Sequence, residues 1–149
     1  MSSLKESIQA DMKAALRAGE KARLAVIRMV LANIQRREVD DRVKLDDTDV
    51  LQIIDKLVKQ GLESAQQFSD GGRDDLVQKE LAEVAVLKTY LPEPLTESQL
   101  EALLDEVIAA TGAQSIRDMG KVMNAIREQA QGRVDMGIVG GRVKAKLAG

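Results

Sequence analysis

The sequence predicts an all-α protein in two helical parts, a four-helix N-terminal domain over 1–93 and a three-helix C-terminal domain over 94–149. Three observations carry this. Apolar residues recur at steps of three and four along most of the chain, the spacing of one buried helix stripe. No stretch alternates apolar and polar residues long enough to make a strand. Both prolines, Pro92 and Pro94, fall within LPEPL at 91–95. Each fixes φ and pushes the residue before it out of the helical region, so this segment reads as a short, stiff, extended connector.

The first helix opens at Ser3, where Glu6 completes a capping box, and runs to about Ala18, where Gly19 closes it. Leu4, Ile8, Met12 and Leu16 form its stripe. The second covers about 21–43 on Leu24, Ile27, Val30 and Ile34. Arg23, Arg28, Arg36 and Arg37 sit around that stripe; they read either as a binding patch or, as charge patterning favours, as a solvated face with Glu20, Glu38 and Asp40 nearby. The segment LDDTD at 45–49 reads as a loop plus N-cap. A third helix follows to about Ser69 through Val50, Ile54, Leu57, Val58 and Phe68. Ser69 to Gly72 is a turn, and a fourth helix runs over about 73–90 through Val77, Leu81, Val84 and Leu87.

Beyond the connector, Thr96 with Gln99 forms a second clear capping box. It opens a helix over about 97–110 on Leu100, Leu103, Leu104, Val107 and Ile108. The next begins at Ser115, capped with Asp118, and buries Met119, Val122, Met123, Ile126 and Ala130. Gly132 ends it, and Asp135 caps a last helix over about 136–147 on Val139, Val143 and Leu147.

What the chain lacks excludes much chemistry. It has neither Cys nor His, which removes thiolate zinc sites, cysteine nucleophiles, His-based triads and imidazole metal ligands. No metal, cofactor or catalytic residue is expected. One Phe and one Tyr leave no stacking platform for single-stranded bases. No apolar run reaches the ~20 residues that span a bilayer, so no membrane partner is expected. The N-terminus lacks the apolar core of a secretory signal, which makes a cytoplasmic protein the default. A carboxylate enzyme built on Glu38, Glu80 and Glu83, with Arg73 and Tyr90, is a remaining catalytic alternative.

Charge is uneven in the C-terminal part. Glu97, Glu101, Asp105 and Glu106 make its first helix acidic. Between 117 and 146 seven cations face three acids, a local excess of four positive charges in a chain whose net charge is −2. Glycines are also dense here. Gly120 sits inside one helix, and Gly137, Gly140 and Gly141 inside or at the start of the other. Each glycine in a helix interior costs roughly 0.8–1 kcal/mol relative to Ala. Close helix–helix contact is one reason to keep them; close approach of a backbone or phosphate, at Gly120 above all, is the other.

DMGKVM at 118–123, followed by GRVDMG at 132–137 and preceded by YLPEPLTESQL at 90–100, resembles the GatB/YqeY family. The likeness continues through RLAVIRMVLANIQRREV at 23–39 and GGRDDLVQKELAEVAVLKTYLP at 71–92, and is that of a free-standing YqeY-like protein. GRVDMG departs from the family pattern, which more often has a small residue where Val134 stands and Gly where Met136 stands. The resemblance implies a helical two-domain protein related to the tail of the B subunit of the tRNA-dependent amidotransferase. In that enzyme the tail contacts tRNA, and the kinase and glutaminase chemistry lie elsewhere. It also implies the family description, carbon–nitrogen ligase activity with glutamine as amido-N-donor. This chain has no nucleotide-binding loop and no cysteine nucleophile, so no complete active site for amidation is expected in it.

The resemblance and the charge together yield the expected function, a tRNA-binding accessory module. Arg117, Lys121, Arg127, Arg133, Arg142 and Lys144 would meet phosphates, with Gly120 allowing close approach. The alternative is a protein-interaction adaptor that docks on a tRNA-dependent amidotransferase or another protein.

Overall fold

The structure, a computed structural model, describes residues 3–148. These residues form seven α-helices with no strand, so the all-α expectation holds. Contacts divide the chain into two compact units, Met1–Leu91 and Pro92–Gly149.

The first unit holds α1 (Leu4–Ala18), α2 (Lys21–Asp41), α3 (Asp47–Asp70) and α4 (Asp74–Lys88). At the start of α1 the Ser3 hydroxyl accepts from Glu6 N at 3.1 Å, and a Glu6 carboxylate oxygen accepts from Ser3 N at 3.3 Å. Gly19 ends α1 at φ 71, where a side chain would be strained. α2 stops at Arg42, which takes φ 55. α3 begins three residues earlier than the spacing suggested. Asp46 accepts from Asp49 N at 2.9 Å and Asp49 returns the bond, so a capping box draws DTD into the helix. Ile8, Ile27, Val30, Ile34, Val50, Ile54 and Leu87 are fully or almost fully buried and form the core. Tyr90 packs against this core, and its hydroxyl donates to Asp11 at 2.6 Å. Burial and the neighbouring carboxylate push the phenol up to about 12.

The second unit holds α5 (Glu97–Thr111), α6 (Met119–Ala130) and α7 (Met136–Ala148). The Thr96–Gln99 capping box forms as expected, with bonds of 3.1 and 3.0 Å. The helix expected to run from Ser115 instead starts as a 3₁₀ turn, Ile116–Asp118, and becomes α-helical at Met119. Asp118 accounts for this: one carboxylate oxygen accepts from Gln114 N at 2.9 Å and from Ser115 N at 3.4 Å. Leu104, Val122, Ile126, Val139 and Val143 have no exposed surface and make the small core. The turn after α6 is closed by Gly132 at φ 84. The Arg133 carbonyl then accepts from Leu95 N at 2.9 Å, which fastens the connector to this unit.

Candidate nucleic-acid interface

The cations expected on the last two helices have separate fates. On α7, Val139, Val143 and Leu147 point into the core. At 100° per residue Arg142 and Lys146 fall on one flank of that stripe and Lys144 on the other. The first flank meets the acids of α5. Arg142 pairs with Glu97 at 2.6 Å and also with Glu101, while Lys146 pairs with Glu101 and with Asp105 at 2.9 Å. Hydrogen bonds from Lys146 and then Arg142 hold the Glu101 carboxyl below the usual carboxylate range. Both cations are correspondingly raised, each chiefly by Glu101. Arg142 is therefore corrected as a phosphate ligand: its charge is already neutralised by a ladder of carboxylates spaced four residues apart.

Two further residues also have work inside the unit. Arg133 Nε donates to the Glu93 carbonyl at 2.8 Å, which ties this side chain to the connector. Arg127 is half-buried and donates to Asn124 Oδ1 at 3.1 Å.

Arg117, Lys121 and Lys144 remain exposed. Arg117 and Lys144 have no ion-pair or side-chain hydrogen-bond partner among the described residues. Lys121 has only Asp118, 3.8 Å away. Asp118 is held below its ordinary range mainly by the Gln114 amide, with the Ser115 amide adding to it, so its charge is largely spoken for by backbone donors. Arg117 lines a shallow groove with Ser115, Ile116, Leu147 and Ala148. Lys144 lies one turn before Ala148 on α7, and Lys121 lies four residues past Arg117. Gly120 is exposed in the first turn of α6.

Gly120, Gly140 and Gly141 do not serve tight packing. A Cβ on Gly120 or Gly141 would meet nothing within 4 Å. One on Gly140 would reach the tips of Met119 and Met123 at 3.8 Å, an ordinary contact. The glycine that packing does require is Gly61 of α3, where a Cβ would stand 2.6 Å from Val84 Cγ2. Local sequence cannot flag that position, because the atom that forbids a side chain comes from α4.

The carboxylate alternative does not assemble. Glu38 pairs with Lys5 at 2.7 Å, Arg73 with Asp75 at 3.1 Å, and Tyr90 with Asp11. Only Glu80 and Glu83 line a common pocket. Among the described residues no group of acids could hold a metal ion, and no helix is long and apolar enough to cross a membrane.

A family model for Yqey-like protein matches residues 5–147. The chain is similar to altered inheritance of mitochondria protein 41, mitochondrial, of Kluyveromyces lactis: 29% identical over 144 residues, 95% of this chain and 75% of that protein. The protein of the same name in Pyrenophora tritici-repentis is 30% identical over 128 residues, 85% of this chain and 70% of that protein. That of Eremothecium gossypii is 37% identical over 113 residues, 71% of this chain and 62% of that protein. The matched stretch thus leaves a quarter or more of each relative uncovered. These names overturn the cytoplasmic expectation, because each relative is named as mitochondrial. An apolar core marks secretory signals, whereas mitochondrial transit segments are amphipathic and Arg-rich.

Proposed function

The chain belongs to the family of Yqey-like proteins, and from that premise we propose that it binds tRNA through the exposed Arg117, Lys121 and Lys144, with Gly120 allowing close approach. The observation that carries this reading is the division of charge on α7. Arg142 and Lys146 are taken up by α5, and Lys144 with Arg117 is left without an acid. Exposed cations without an acid partner suit phosphate oxygens, which accept from ammonium and guanidinium groups. With one Phe and one Tyr in the chain, this recognition is of backbone and shape rather than of base sequence. The resemblance to the amidotransferase tail supports tRNA as the polyanion, and gives the chain an accessory role beside that chemistry rather than the ligase reaction itself.

The test is binding of bulk tRNA to the full chain and to the Arg117→Glu/Lys121→Glu/Lys144→Glu variant. The variant is expected to bind at least about tenfold more weakly, since each lost phosphate contact removes its share of counterion release. Equal binding by both proteins, or none by the unmodified chain, would overturn the reading.

A further inference from the structure

A second surface lies on α2, in the first unit. Ala25, Met29, Ala32, Arg36 and Val39 are all exposed. Their spacing is four, three, four, three, the repeat with which one helix seats against another. Met29 is 36% exposed and Val39 67%, so large apolar groups of this seam face water. Beside its N-terminal half runs a groove of about 490 Å³ between α2 and α4, lined by apolar residues such as Ala25, Val26, Ala82 and Val86 and also by Lys79 and Glu83 of α4. α2 has 21 residues, so the face is about 30 Å long, the length of a six-turn partner helix.

The charge along this face is mixed but mostly basic: Glu20 and Glu83 line the groove, and Glu20 is paired with Arg23 at 3.2 Å. Lys21, Arg28 and Arg36 are exposed and make no ion pair among the described residues. From 21 to 39 the one acid is Glu38. It is occupied by Lys5 and by the Leu45 amide, and these bonds hold it below the usual carboxylate range. We propose that the outward face of α2 is a docking strip for an acidic amphipathic helix of a partner protein. Apolar residues of that helix would fill the spaces over Ala25 and Ala32 and the groove toward α4. Its flanking carboxylates would meet Lys21, Arg28 and Arg36. A second copy of α2 fits poorly, because it would set cations against cations. RNA fits poorly as well, because Met29 and Val39 would be desolvated with no phosphate to gain.

The probe is a synthetic 21-residue helical peptide with Leu at four–three spacing and Glu on both flanks, titrated against the full chain beside a twin with Lys flanks. The Glu peptide is expected to bind at least tenfold more tightly than the Lys peptide. Arg28→Glu/Arg36→Glu is expected to reverse that order, and Met29→Asp to weaken the Glu peptide at least tenfold. The charge-reversal pair is exposed, so it keeps the test open should Met29→Asp disturb folding. Equal or absent binding of the two peptides would overturn the proposal. So would loss of tRNA binding in Arg28→Glu/Arg36→Glu, which would make the face a nucleic-acid surface. Self-association of the chain abolished by Met29→Asp would make a second copy the occupant, and would overturn it too.

Discussion

In the first unit, Gly61 of α3 lies against α4 with Val84 Cγ2 2.6 Å from where a Cβ would be. The two helices approach there because no side chain intervenes. In the second unit, Gly120 of α6 and Gly141 of α7 face open space. All three weaken their helices by similar intrinsic amounts. At Gly61 close packing offsets that cost within the fold. At Gly120 and Gly141 nothing in the fold offsets it, so the compensation is sought outside the chain. The cations repeat the contrast: Arg142 and Lys146 are satisfied inside the unit, and Arg117 and Lys144 are not.

The contrast breaks most visibly at Gly61. Gly61→Ala drives a methyl into the buried Val84, and overpacking of this kind costs about 1–3 kcal/mol. Denaturant unfolding of the variant measures it; an unchanged midpoint would place α3 and α4 further apart than described.

Next in size are Gly120→Ala and Gly141→Ala, each expected to raise stability by ~0.8–1 kcal/mol because both sites are open. Thermal unfolding reads that gain, and tRNA titration of the same proteins reads its functional cost. Variants that are more stable and bind tRNA as before would remove close approach from the account.

The smallest expected effect is on pH. Glu101 is depressed by Lys146 and Arg142 from an ordinary value of 4.5. Its contribution is complete above that value and is lost as pH falls through the lower value of the folded state. Lys146 is raised from 10.5, so its contribution is complete below that value and is lost as pH rises through the raised one. The difference in unfolding midpoint between the unmodified chain and Glu101→Gln is expected to be flat at neutral pH and to shrink at both extremes. A difference that persists at pH 2 would assign the effect to packing instead.

Much of the fold was written locally. The Ser3–Glu6 and Thr96–Gln99 boxes and the glycine at position 19 mark helix ends by bonds that span three or four residues, and such bonds are legible in a string of letters. The segment LDDTD was harder, since several of its acids can cap, and the choice of Asp46 emerges only in three dimensions. The site was legible in part. A cation excess between 117 and 146 is a count along the chain. Its reduction by Glu97, Glu101 and Asp105 depends on pairs more than 40 residues apart. The α2 arginines were legible as a binding patch or a solvated face, and charge patterning could not see that Met29 and Val39 beside them are exposed.

The most direct measurement compares the two flanks of α7 by salt. Three phosphate contacts at Arg117, Lys121 and Lys144 correspond to a slope of about −2 to −2.7 in log K against log salt, or roughly 20- to 40-fold weaker tRNA binding from 50 to 200 mM. Lys144→Gln is expected to reduce that slope by nearly one unit, and Arg142→Gln to leave it unchanged. A slope that Arg142→Gln flattens and Lys144→Gln does not would contradict the division of charge on which the account stands.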